Sequence, residues 1–339
     1  MRKLMLGILI FSIVIMLNVG CYKNSDQKDN KNEKITICQW GQALIYLPLY
    51  VANEKGFFKD EGLDVNITSG NNSDLDTWLA VQSGSAQFAI SDPTMIAIQR
   101  EKGGPKGVLL GDIVQRVAFW AVSLDTNLKE ITSPKNFKGQ SIACFKFPNT
   151  AHALALRTFQ LGNLQVGTDV KMVEVDYSAV LAQLKRGDAT LAMLLEPAAS
   201  NSVVHGGAKI VYSYPEAWGE FAFTGLTATS KYVKEHPEIV QKVLNALERA
   251  MIFIRKDPNG AIKVGNIIFP DLDTSVIKLA VERMINSKTI PENITPSKEG
   301  WIKAIDVCIE VGKLKDKKNT SELIDDSFAK KSVEKFNKK

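Results

Sequence analysis

The sequence is poor in the groups that most catalysis and metal binding require. Four cysteines occur, Cys21, Cys38, Cys144 and Cys308, and no spacing among them suggests a metal site or a redox pair. Cys38 and Cys144 lie in apolar, strand-like runs, where a small thiol reads as core. A Gly-x-Ser-x-Gly elbow and an HExxH pair are both missing, which removes the usual sequence signals of a hydrolase. The segment GGPKG at 103–107 lacks the Lys-Ser/Thr ending of a nucleotide phosphate loop. Basic runs on folded elements are missing too. The formal net charge is +5, and Arg2 and Lys3 supply two of those charges. Other lysines gather in the polar leader and in the tail, at Lys315, Lys317, Lys318, Lys330 and Lys331. A nucleic-acid partner needs a basic stripe on a folded face, so none is expected; no cofactor or metal is expected either.

What is present is ordinary globular material, 45% apolar and 23% charged, long enough for one large domain or two smaller ones. The first residues stand apart. Arg2 and Lys3 precede an apolar run of 14, Leu4 to Leu17, too short to span a bilayer comfortably but suited to a signal-peptide core. Asn18, Val19, Gly20 and Cys21 follow, and a small residue directly before a cysteine resembles a lipoprotein signal. The pattern usually carries leucine three positions before the cysteine; Asn18 stands there, with Leu17 one further back. Residues 1–20 are therefore read as a signal peptide and Cys21 as the lipidated residue, with plain secretory cleavage or an uncleaved anchor as the alternatives. Residues 21–34 bury almost nothing and read as a flexible linker to the extracytoplasmic face of the cell membrane.

From residue 35 strands and helices alternate. KITICQW, DVNIT and AQFAIS read as strands separated by helices over 44–55 and 73–84, and a further helix opens at Asp92-Pro93. GVLLGDI and RVAFWAVS follow as strands. The pattern then restarts with GQSIACF, KMVEV, TLAMLLE and AKIVYSY, and FTGLTATS is one more strand before a helical tail over 237–255, 274–286 and 298–312. Two such units predict two wound parallel α/β sheets, the first lobe from 35–123 plus 220–339 and the second from 124–219, with crossings near 122–127 and 213–222. Ligands of open parallel sheets sit outside the strands' carboxyl ends, so two facing lobes predict an interlobe cleft that closes about a hinge.

PLYVANEKGFFKDEGLDVNI from Pro48, LAVQSGSAQFAISDP from Leu79 and LLEPAAS at 194–200 together resemble the nitrate, sulfonate, taurine and thiamine-precursor binding proteins of ABC importers. The helices HPEIVQKVLNALERAMIFI and ELIDDSFAKKSVEKF fit the same pattern, so that the resemblance runs in order from about residue 35 to 336. It implies the bilobal type II fold of periplasmic binding proteins, a small-molecule ligand, and a membrane permease with its ATPase as partners of a monomeric lipoprotein. In that frame Phe57, Phe58, Gly62, Leu63 and Val65 are scaffold.

Candidate ligand contacts follow from position after each strand. Trp40 and Gln42 follow the first strand, with Tyr46 on the same junction, where core packing is the equal alternative. Trp40 suits stacking on a planar group; rim packing is the other reading. Asn72 and Ser73 follow the second strand, where a helix cap alone is the alternative. Ser91 and Asp92 follow the third, with Ser91 ranked first because a capping Asp92 spends its carboxylate on backbone N–H groups. Asn149 and Thr150, after Pro148, open the matching helix of the second lobe, and His152 just beyond reads as a packed neutral side chain. Glu196 ends a buried strand, where a charge is costly unless paired or facing the cleft, and is the best polar candidate. Trp218 is expected to cap the cleft. No arginine or lysine falls in these loops except Lys146 and Arg116, whereas Asp92 and Glu196 lie near the edge, so a neutral or cationic heterocycle, such as a pyrimidine-like thiamine precursor, is favoured slightly over nitrate or a sulfonate. A module feeding a membrane sensor, and an enzyme like the pyrimidine synthase of fungi and plants, are the rival functions. The second relies on a cysteine cluster that this chain lacks.

Overall fold

The computed structural model describes residues 32–147 and 149–336. The expected signal peptide, the linker as far as residue 31, Cys21 and Pro148 lie outside them. Among the described residues no helix is long and apolar enough to cross a membrane.

Strands β1 (Glu33–Gln39), β2 (Leu63–Ser69), β3 (Phe88–Ser91) and β4 (Gly107–Arg116) enter a first sheet. Strands β5 (Trp120–Ser123), β6 (Ser141–Phe145), β7 (Lys171–Val175), β8 (Leu191–Leu194) and β9 (Lys209–Ser213) form a second. Strand β10 (Glu220–Thr229) then returns to the first, giving the orders β2-β1-β3-β10-β4 and β7-β6-β8-β5-β9. Strands β3, β5 and β8 are buried at every residue, as strands covered on both faces must be, and their sequences are correspondingly apolar.

Two expectations need correction. The sheets are mixed, not wholly parallel: β10 runs antiparallel to β3 and β4, and β5 antiparallel to β8 and β9. These are the two strands that follow a passage between sheets. They arrive from the other lobe and not through a crossover helix, so the handedness rule for parallel neighbours does not bind them. The first passage also lies earlier than expected, between Arg116 and Trp120, because Trp120–Ser123 already pairs in the second sheet.

Local chemistry sets the element ends. Ser73 Oγ accepts the Asp76 N–H at 3.1 Å and Asn149 Oδ1 accepts the Ala151 N–H at 2.9 Å, capping two helices. The stretch GFFKDEG turns at Gly56 (φ 74°) and Gly62 (φ 77°), both left-handed, while Phe58 and Leu63 are buried between them and beyond. The tail contains the expected helices plus one the sequence pattern did not separate, Pro258–Ile268. Helix Thr274–Asn286 packs on that helix and on Ala198–Val204 of the second lobe. Helix Lys298–Glu310 lies on β10 and touches Thr150–Leu161. The two lobes are thus bridged by tail helices as well as by the crossing strands.

Candidate functional site

The carboxyl ends of the two sheets face each other across a narrow cavity of about 30 Å³. From the first lobe come Trp40 after β1, Ile45 and Tyr46 in the turn that follows, Asp74 at the start of helix Asp74–Gln82, and Asp92 after β3. Phe145 at the end of β6, Asn149, Thr150, and Leu195 after β8 come from the second. Phe119, between β4 and β5, and Phe223 and Thr224 of β10 close the cavity where the chain crosses. Five aromatic rings therefore line it, with Asn149 and two threonines, two carboxylates and no lysine, arginine or histidine. An outer recess shares Trp40, Phe145 and Asn149 and adds Asn71, Asn72, Tyr177 and Lys146, which is paired with Asp176 at 3.1 Å.

The lobes touch across this space. Thr150 Oγ1 donates to Asp92 Oδ2, while Asp92 Oδ1 accepts from Thr94 N at 2.9 Å and Thr94 Oγ1 at 2.7 Å. The Trp40 and Phe145 rings, one from each lobe, lie within 5° of parallel with centroids 6.4 Å apart. Tyr177 meets Trp40 edge-on at 5.8 Å, and Phe119 stands perpendicular to both Phe145 and Phe223.

Asp74 is half-buried, and its Oδ1 accepts the Asp92 N–H at 3.1 Å. Burial, and then the charge of Asp92, push its carboxyl up to about 7, against the pull of that N–H and of Lys313. The Tyr46 phenol is also held well above its ordinary value, by burial first and by Asp74 next. Burial raises the Cys38 thiol and pushes Cys144 up to about 12 and Cys308 to about 11. Among the described residues no cluster of His, Cys, Asp and Glu could hold a metal ion.

Of the residues expected from sequence, Trp40, Tyr46, Asp92, Asn149 and Thr150 line the cavity, and Asn72 lines the outer recess. The others lie elsewhere. Gln42 is exposed and donates to the Ile268 carbonyl at 2.8 Å. Ser73 is a cap, and Ser91 is buried within β3 opposite Gly225. Trp218 lines a separate groove beside Arg157, Lys303 and Glu310.

Glu196 is the chief correction. It is fully buried and its carboxylate is consumed by Arg283 Nη1 at 2.5 Å, Ser200 N at 3.0 Å and Ser200 Oγ at 2.9 Å. Its backbone carbonyl accepts the Leu44 N–H at 3.3 Å. A charge at that position had to be paired or face the cleft, and pairing won. Burial still raises its carboxyl, with Arg283 opposing. Phe145 and Asp74, which the sequence reading did not select, are a strand-end residue and a helix-start residue that the same positional rule reaches. Phe119, Phe223 and Thr224 have no such signal.

Two α/β lobes with opposed sheet edges and an aromatic-lined cavity between them define a periplasmic-binding-protein fold. The chain belongs to the NMT1/THI5-like family, whose model matches residues 45–261. YtlA of Bacillus subtilis (strain 168) is 24% identical over 255 residues, covering 74% of this chain and 75% of that protein. The formylaminopyrimidine-binding protein of Halalkalibacterium halodurans is 23% identical over 255 residues, 74% of this chain and 76% of its own. Among solved structures, the periplasmic aliphatic sulphonate binding protein SsuA from Escherichia coli superposes with a TM-score of 0.67 at 17% identity, over 84% of this chain and 89% of that one. The fold is also shared by an enzyme: the desulfurization enzyme DSZB matches with a TM-score of 0.66 at 15% identity, over 89% of this chain and 99% of its own.

Proposed function

We propose that this protein is the substrate-binding component of an ABC import system. It binds a small organic molecule in the interlobe cavity and delivers it to a membrane permease driven by an ATPase. The observation that carries the reading is the cavity itself, built from the facing carboxyl edges of both sheets and bridged by Thr150 and Asp92. A site made of two lobes can take up and release a ligand by opening and closing.

A receptor is favoured over an enzyme on this fold. The formylaminopyrimidine and sulphonate relatives are named for what they bind. The buried thiols Cys38, Cys144 and Cys308 are poor nucleophiles at neutral pH. His152 lies outside the cavity lining, 3.5 Å from Glu174. In this reading the mature chain is a monomer held at the extracytoplasmic face by lipid on Cys21.

Native mass spectrometry of the full chain, followed by denaturing release, tests the proposal. A stoichiometric small molecule that leaves only on denaturation is expected. An empty chain that also shows no thermal shift with thiamine precursors, sulfonates, nitrate or riboflavin would count against it.

A further inference from the structure

The cavity walls carry information about the charge of what they hold. Asp74 and Asp92 both line the space, and no cationic side chain does. Asp92 is spent on Thr94 and Thr150, but Asp74 uses only Oδ1, on the Asp92 N–H, and its Oδ2 has no hydrogen-bond partner among the described residues. Lys313 reaches Asp74 only as a nearby charge from outside the lining, and Lys146 on the outer recess is already held by Asp176. Two carboxylates sharing a partly dry site repel, and a positive group between them relieves the repulsion. Around them stand Trp40, Tyr46, Phe119, Phe145 and Phe223, whose ring faces are negative and attract cations. A nitrate or sulfonate placed here would meet two carboxylates, with no cationic side chain in the lining to bind it.

Resting on the receptor reading above, we infer that the cavity takes a small planar organic cation. Its N–H groups face the unpartnered Oδ2 of Asp74, with the Asp92 charge beside it, and its ring is held by Trp40 of one lobe and Phe145 of the other. Amidinium and protonated amino-heterocycles have this chemistry: flat, positively charged, and carrying two N–H donors on one edge that match carboxylate oxygens.

The test is calorimetric titration of the full chain with three probes of nearly equal shape: benzamidine (cationic), benzamide (neutral) and benzoate (anionic). Benzamidine is expected to bind at least about tenfold more tightly than benzamide, with benzoate weakest. Asp74→Asn should bring benzamidine down to the level of benzamide while changing benzamide less than about threefold, and Asp92→Asn is a second variant should the first not fold. Benzoate binding tightest, equal binding of all three, or binding of none by a chain that retains a copurified molecule would overturn the cation inference and leave the receptor reading standing. No copurified molecule together with no binding of any probe would remove both.

Discussion

Trp40 and Phe58 are both large, buried rings of the first lobe, yet they do different work. Trp40 lines the cavity beside Phe145, whereas Phe58 fills the space under the GFFKDEG turn. Trp40→Ala is expected to weaken ligand binding tenfold or more in the folded fraction, beside a stability loss comparable to that of any buried ring. Phe58→Ala should cost about 3–5 kcal/mol of stability and leave affinity nearly unchanged in the folded fraction. Equal affinity losses in the two folded variants would sink this division. A second residue-scale prediction concerns Asp112, fully buried on β4. Its Oδ2 accepts from Ser297 N at 2.8 Å and Gln115 Nε2 at 3.3 Å, and its Oδ1 has no partner among the described residues. Burial pushes its carboxyl up to about 7, as with Asp74. An unfolded aspartate titrates near pH 3.9, so between about pH 4 and 7 the native state holds protons that the unfolded chain has released. Stability from these two groups therefore falls as pH rises through that window. Melting curves of wild type and Asp112→Asn, taken from pH 4 to 8, should converge or cross as the wild type loses this advantage; parallel curves would show that Asp112 does not titrate there.

At the scale of elements, helix Thr274–Asn286 is tied to the second lobe through one buried ion pair. Arg283 reaches Glu196 and Ser200, and its guanidinium also lies over Trp120 at 5.8 Å. Glu196 also accepts the Ser200 N–H in the first turn of helix Ala198–Val204. Removing the acid alone leaves a buried arginine and the Ser200 N–H without their partner. Glu196→Ala should cost about 3–5 kcal/mol, toward the lower end because Arg283 keeps 16% of its side-chain exposure. Replacing both charges, Glu196→Ala with Arg283→Met, should cost less than the sum of the single changes, which chemical denaturation of the four proteins measures. Ligand affinity of Glu196→Ala then follows lobe geometry and not a lost ligand contact. Helix Lys298–Glu310 is bound to the fold differently, by close approach: a Cβ on Gly300 would sit 2.9 Å from Ala222 N and 3.0 Å from Phe221 C of β10. That helix rests directly on strand backbone, which glycine alone permits without a shift.

For the whole molecule, the two lobes touch across the cleft, with Thr150 bonded to Asp92 and the Trp40 and Phe145 rings meeting there. Shifting lobes from almost wholly open to almost wholly closed needs roughly 5.5 kcal/mol of differential affinity. Small-angle scattering should show a larger radius of gyration for the chain stripped of its copurified molecule and a return to the compact value on adding it back. A radius that stays the same at saturating ligand would mean that binding does not use lobe closure.

The sequence by itself determined the order and kind of nearly every element, because hydrophobic period, helix caps and left-handed glycines are local signals. It also placed Trp40, Tyr46, Asp92, Asn149 and Thr150, since residues just past a strand's carboxyl end must reach the sheet edge whatever the rest of the chain does. The antiparallel placing of β5 and β10, and with it the presence of Phe119, Phe223 and Thr224 in the cavity, belonged to the tertiary structure. Strand pairing across the lobes has no local mark in the sequence. The same holds for Glu196, whose partner Arg283 is 87 positions away. A buried acid announces that it needs compensation, but only packing decides whether a ligand or an arginine supplies it.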